Sequence, residues 1–158
     1  MKSNGNRAVL TLILALPVTL SAADNLVLNP NLDYSDHNKK QGPLITGDNI
    51  DDGLAKGVPN YVFFYGEKCY NSKRQARLTV HMYEKYKDRV HFVIVDLNKI
   101  SSPQQKLLAN QYFVGWIPHT TILDKQRHVV FDYTGDTVDG IVDGWLDYTL
   151  REDGAQGK

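Results

Sequence analysis

The apolar positions change period several times along the chain, and the changes mark out its elements. "NYVFFYG" (60–66) and "VHFVIVDL" (90–97) are near-continuous runs of β-branched and aromatic residues, the pattern of strands buried on both faces. Between them, from Tyr70 to Lys87, the spacing becomes helical. Ala76, Thr79, Val80, Tyr83 and Tyr86 share one face, while Arg74, Arg77, Glu84 and Lys85 fall elsewhere. "SPQQKLLANQYF" (102–113) opens with a serine cap and has Pro103 at the first helical position, so it predicts a second helix. Strand, helix, strand, helix in that order implies a parallel pair joined by a crossover connection.

Further on, "HTTILD" and "HVVFDYTG" are strand-like runs separated by Lys125-Gln126-Arg127, which predicts an antiparallel hairpin ended by Gly135. Val138 to Leu150 then predicts a last helix that places Ile141, Trp145 and Tyr148 on one apolar face, with Val142 beside them. Upstream, "DNIDDGLAK" (48–56) sets Asp and Asn ahead of Ile50 and Leu54 and is followed by Gly57 and Pro59, the signals of a short first helix. Residues 24–47 are rich in Asn, Asp and Lys and read as an extended lead-in with at most a short strand, and residues 151–158 read as a polar tail.

The first 23 residues stand apart. Lys2 and Arg7 precede an almost wholly apolar run, Ala8 to Leu20, and Ser21-Ala22-Ala23 supplies small residues at cleavage positions. This is the layout of a secretory signal peptide, and its apolar run falls well short of the ~20 residues that span a bilayer. The expectation is an exported protein, periplasmic, secreted or in an endoplasmic reticulum lumen, with no stable membrane anchor after cleavage.

With 158 residues, 42% of them hydrophobic and 23% charged, the chain suits one globular domain, residues 48–150, and neither disorder nor a fibrous class. Its 18 basic and 18 acidic residues balance. Without Lys2 and Arg7 the chain stays nearly neutral, which leaves no electrostatic case for nucleic acid as a partner.

Cys69 is the single cysteine. It sits between the first buried strand and the helix that follows, in "KCYNSK" (68–73), with Ser72 three residues on. An exported protein meets an oxidising medium, where a lone cysteine has no partner within this sequence.

The element order and three local motifs resemble the thioredoxin-like superfamily from about Asp48 to Leu150. "KCYNSK" occupies the place of that family's Cys-x-x-Cys as Cys-x-x-Ser, Ile117-Pro118 the place of its cis-proline loop, and Gly135 the place of the glycine after its hairpin. The resemblance implies an α/β thioredoxin-like fold, a central mixed β-sheet flanked by helices on both faces, with Pro118 facing Cys69. Two departures are coherent with each other. Ser72 replaces the resolving cysteine, and Phe63 stands where the family carries the buried acid that assists that cysteine. Lys68 replaces the tryptophan that usually precedes the first cysteine.

At a helix start, Cys69 would meet unpaired backbone N–H groups, which favour an anion, with Lys68, Lys73 and Arg74 adding positive charge and Glu67 opposing it. A thiolate there can attack a disulfide and hold half of it; Ser72 cannot release that adduct, so an outside thiol must. The resemblance therefore implies thiol–disulfide exchange or isomerisation by a monothiol mechanism. Cys69, Ser72 and Pro118 are its catalytic candidates, and Tyr70, Trp116 and Ile117 are an apolar rim for the substrate. The expected partners are thiols or disulfides of exported proteins and peptides, glutathione as an outside thiol, or a second copy linked through Cys69.

The alternative is a redox-inactive module that binds through the groove beside Pro118. His119 could approach the thiolate, while His37, His81, His91 and His128 lack metal-ligand spacing. No cofactor or metal is expected. "DNIDD" and "GDTVDG" lack the calcium-loop pattern, and neither a Gly-rich phosphate loop nor a nucleophile elbow is present.

Overall fold

The computed structural model describes residues 26–48 and 50–155, with backbone only for 152–155. The expected signal peptide, 1–23, lies outside the described residues.

Two short strands come first, β1 (Val27–Leu28) and β2 (Ile45–Thr46), which pair antiparallel. Then follow β3 (Asn60–Tyr65), α1 (Tyr70–Tyr86), β4 (His91–Asp96), α2 (Pro103–Tyr112), β5 (His119–Leu123), β6 (Val129–Thr134) and α3 (Asp139–Ala155). The main sheet has the order β4-β3-β5-β6, with β3 and β4 parallel and the other two pairs antiparallel. It is the mixed sheet expected from the sequence, with the hairpin strand β6 at its edge.

Successive residues of a strand point to opposite faces. On β3, Tyr61, Phe63 and Tyr65 therefore join Ala76, Met82, Tyr83 and Tyr86 of α1 and Val142 and Leu146 of α3 in one core. Val62 and Phe64 join Val93, Val95, Leu123 and Leu108 of α2 in a second. Helices thus cover both faces, two on one side and one on the other. All six residues of β3 are buried, which is why its sequence lacks alternation. The α2 start is capped as its sequence implies: the Ser102 hydroxyl accepts from the N–H of Gln105 at 3.2 Å.

Three local expectations differ from the structure. No helix forms at 48–56, whose described residues make turns and irregular backbone. A helix this short is hard to nucleate, and its polar groups are engaged elsewhere. The Gln105 amide donates to the carbonyl of Ile50 at 2.8 Å, and the Asn60 side chain holds both the N–H and the carbonyl of Ala55.

The inner face of α3 is Val142, Leu146 and Thr149, while Ile141, Trp145 and Tyr148 are exposed. The helix is rotated by one position from the expected face. Its outer aromatics are not isolated, since Trp145 lies 5.9 Å from Phe131 of β6 and 5.8 Å from Tyr148 between ring centroids.

The third difference is the lead-in. The pairing of β1 with β2 closes residues 29–44 at their base, where the Asn29 N–H donates to the carbonyl of Leu44 at 3.0 Å. The segment is a compact loop of the Ω kind. It packs on the N-terminal half of α1, with Leu32 and Tyr34 against the larger core.

Candidate functional site

Strand β3 ends at Tyr65 and α1 begins at Tyr70, so Gly66 to Cys69 turn the chain from sheet to helix. Cys69 is the residue that caps α1. Its backbone is extended, its carbonyl accepts from the N–H of Lys73 at 3.1 Å, and its N–H donates to the carbonyl of Gly66 at 3.1 Å. The Cys69 side chain makes no capping hydrogen bond, and among the described residues no other side chain caps this helix, so the thiol stands beside free N–H groups of the first turn.

Ile117 approaches the thiol from the loop before β5. The Ile117-Pro118 peptide is cis, and the Cys69 Sγ lies 3.8 Å from the carbonyl oxygen of Ile117. Pro118 itself is buried, and its carbonyl accepts from the N–H of Gly135 at 2.8 Å. Gly135 has φ +108, a backbone that only glycine adopts without strain. The third sequence motif therefore fastens the second. Gly66 is constrained by space: a Cβ there would come within 2.5 Å of the Ile117 Cδ1.

Cys69 is half-buried and opens on a cavity of about 330 Å³ lined by Asn38, Gly66, Lys68, Leu97, Asn98 and Ile117. Leu97 and Ile117 give it an apolar wall, and Asn38, Lys68 and Asn98 a polar one. Asn98 follows β4 and is oriented by its neighbours, accepting from the Glu67 N–H at 2.8 Å through its side-chain oxygen. Neither asparagine was flagged by the sequence. Their spacing from Cys69 along the chain carries no signal, and only the fold brings them to the thiol.

The other expected site residues separate. Trp116 is 73% exposed and does not fold over its own loop. Tyr70 is half-buried, with its ring 3.8 Å from that of His37 and the Arg74 guanidinium 5.8 Å from its centre. Ser72 is fully buried, and its hydroxyl accepts from the Gly66 N–H at 3.4 Å, which braces the turn before the helix.

His119 is committed away from Cys69, to the opposite side of the sheet. It is buried against Phe64 and Phe113, with Nδ1 3.0 Å from the Thr134 hydroxyl and Nε2 2.9 Å from the Asp132 carboxylate. Successive residues of β5 alternate in face, and His119 falls on the α2 side with Thr121.

Two of the expected basic neighbours are also spent. Arg74 pairs with Asp136. Lys73 is fully buried and its ammonium donates to the backbone carbonyls of Asp33 and Asp36 in the 29–44 loop. That leaves Lys68, which lines the cavity, as the exposed cation beside the thiol. Both loop carboxyls are held below the usual carboxylate range. For Asp33 the hydrogen bonds from Ser35 are the largest cause, for Asp36 the N–H of Asn38, and the Lys73 charge adds to each. Among the described residues no group of three or more His, Cys, Asp and Glu side chains is placed to hold a metal ion.

No protein-family model matches the chain. By sequence it is similar to the thioredoxin-like protein HCF164, chloroplastic, of Oryza sativa subsp. japonica, 30% identical over 76 residues, 48% of this chain and 28% of the relative. The Arabidopsis thaliana protein of the same name is 27% identical over 111 residues, 69% of this chain and 40% of the relative. The chain thus spans less than half the length of these relatives. By structure it is similar to thioredoxin-2, described as a component of malaria parasite protein secretion machinery. There the TM-score is 0.51 at 18% identity, with 60% of this chain and 86% of the other covered, a likeness of fold. The chain thus has a thioredoxin-like fold, and over part of its length its sequence is similar to these thioredoxin-like proteins.

Proposed function

We propose that the chain acts in thiol–disulfide exchange or isomerisation through Cys69, by a monothiol mechanism. The observation that carries this reading is the placement of Cys69, at the uncapped start of α1, open to a cavity and 3.8 Å from the carbonyl that precedes cis-Pro118. The thiol loses its proton to solvent, and the thiolate attacks one sulfur of a client disulfide. A new S–S bond forms to Cys69, the client's bond breaks, and the departing client sulfur takes a proton. With one cysteine in the chain, the adduct is resolved by an outside thiol, glutathione or a second cysteine of the client. No net oxidation or reduction is required when the client's own thiol closes the cycle, so isomerisation suits this site better than reduction.

Ile117 and the exposed Trp116 would contact the client chain beside cis-Pro118, and Tyr70 would flank it. The expected signal peptide makes exported proteins the clients. The curated relatives are named as chloroplastic, which supports a compartment other than the cytosol without choosing one.

The test is capture. Mature protein is mixed with oxidised peptides and with an extract of exported proteins, and adducts are read by electrophoresis with and without reductant. Reductant-sensitive adducts that vanish in Cys69→Ser are the expected result, and a Cys69→Ser chain that retains every activity overturns the mechanism. A homodimer linked through Cys69 would appear in the same gel at twice the chain's mass.

The 73% exposure of Trp116 favours a second reading, a binding module that uses the groove without covalent chemistry. Under it, partner binding survives Cys69→Ser and is lost in Trp116→Ala.

A further inference from the structure

A lysine with no exposed surface is costly to bury, and it is retained only where hydrogen bonds replace its water. Lys73 has relative exposure 0%, and the hydrogen-bond acceptors of its ammonium are two carbonyls of one loop, those of Asp33 and Asp36. A buried charge is thus used to fasten a polar surface loop to the helix that carries the thiol.

The loop is held at other points along the same stretch. Its Tyr34 hydroxyl bonds the N–H of Asn29 and the carbonyl of Leu44, which closes the loop on itself, and the Arg77 guanidinium lies 5.4 Å from the Tyr34 ring. At its tip, the His37 ring is 3.8 Å from the ring of Tyr70, the residue after Cys69, and Lys40 pairs with Glu67 at 3.6 Å. Between these contacts, Asn38 reaches the cavity that Cys69 lines. Through Asn38 the loop forms part of the lining of the cleft. The cleft itself, about 330 Å³, is at the lower end of the ~300–1,000 Å³ typical of small-ligand sites.

We propose that residues 29–44, held by Lys73, are a selectivity wall at Cys69 that admits small thiols and extended peptide segments and turns away disulfides on the surfaces of folded proteins. The proposal deepens the thiol–disulfide reading and takes its biological meaning from it. Lys73 is a positioning residue in this scheme. It touches no substrate and acts by holding the loop so that Asn38 stays at the cleft and His37 on the Tyr70 ring.

The experiment compares alkylation of Cys69 by iodoacetamide with alkylation by a maleimide held on a short linker at the surface of a small folded protein. The quantity read is the ratio of bulky to small rate, in the parent, in Lys73→Met and in the double variant His37→Ala/Asn38→Ala. The double variant changes only exposed side chains and so keeps the fold. In it the ratio is expected to rise by about fivefold or more, since the barrier to the bulky reagent is local opening of the wall. A ratio within about twofold of the parent there overturns the proposal, because a change of that size is under ~0.5 kcal/mol.

Lys73→Met, if folded, is expected to raise the ratio as well, together with faster amide exchange across residues 33–41. Faster exchange with an unchanged ratio overturns the role of Lys73. Alkylation needs only a thiol, so this result stands apart from the capture assay. A site that captures no client can still show the wall, and a site without the wall can still capture clients.

Discussion

The Sγ of Cys69 lies 3.8 Å from the carbonyl oxygen of Ile117, across 48 positions of sequence. The turn between β3 and α1 and the loop before β5 are brought together because β3 and β5 are adjacent in the sheet, with Phe64 opposite His119. The thiol thus has a backbone acceptor in front of it and helix N–H groups behind it. A peptide laid along this loop would meet the sulfur directly.

The spacing of Ser72 from Cys69 makes one substitution informative. Ser72 is one helical turn on, where side chains lie about 5–6 Å apart between Cβ atoms, close enough for small shifts to close a disulfide. Ser72→Cys is expected to form an intrachain disulfide on mild oxidation and to shorten the life of any adduct with a client. Mass spectrometry with thiol labelling reads this as two labels lost together. Two thiols that remain free after oxidation would show that the turn at Gly66 holds the pair apart.

Gly66 tests how tightly the apolar wall is set. A methyl group there meets the end of the Ile117 side chain at 2.5 Å, so Gly66→Ala must displace Ile117. The contact is with the far end of a half-buried side chain that can swing aside, so the variant is expected to stay within about 1 kcal/mol of the parent in urea while altering the alkylation rate of Cys69. An unchanged rate would mean that Ile117 does not control approach to the sulfur.

The rotation of α3 gives a contrast between neighbouring helix positions. Leu146 is fully buried and Ile141 is 49% exposed. Leu146→Ala is expected to cost about 2–5 kcal/mol. Ile141→Ala should stay within about 1 kcal/mol, close to the range for surface positions. Equal losses in denaturant titrations would restore the face expected from sequence.

His91 predicts a dependence on pH. Its ring is buried at the start of β4, with Nε2 3.1 Å from the carbonyl of Gly53, and burial holds its pKa below the ordinary 6.5. Below pH 6.5 the unfolded chain therefore binds more protons than the folded one, so stability falls as pH drops from that point toward the folded value. Asp96 acts in the opposite sense at lower pH, because burial raises its pKa above 3.8 and protonation there relieves the folded state. Denaturant titrations between neutral pH and about pH 5 should show the decline, made shallower in His91→Gln. A decline of the same slope in that variant would assign it to other groups.

Elements with a strong local period were legible from residue order alone. The apolar run at 61–65 has the pattern of a strand covered on both faces, and Ser102-Pro103 marked the start of α2 to the residue. The positions of Cys69, Ile117-Pro118 and Gly135 were likewise readable, since each motif belongs to the end of such an element. Burial partners were not, because they depend on which surfaces meet. Apolar residues at both 141 and 142 allow α3 two inner faces, and the choice falls to the shape of the sheet, which takes Val142 and Leu146.

By sequence Lys73 adds positive charge near the thiol, but in the structure the 29–44 loop folds over it and takes its hydrogen bonds. His119, which by sequence could approach that thiol, is turned by strand alternation to the far side. A charge on a helix is local information. Its acceptors, tens of residues away, exist only once β1 and β2 have closed the loop that carries them.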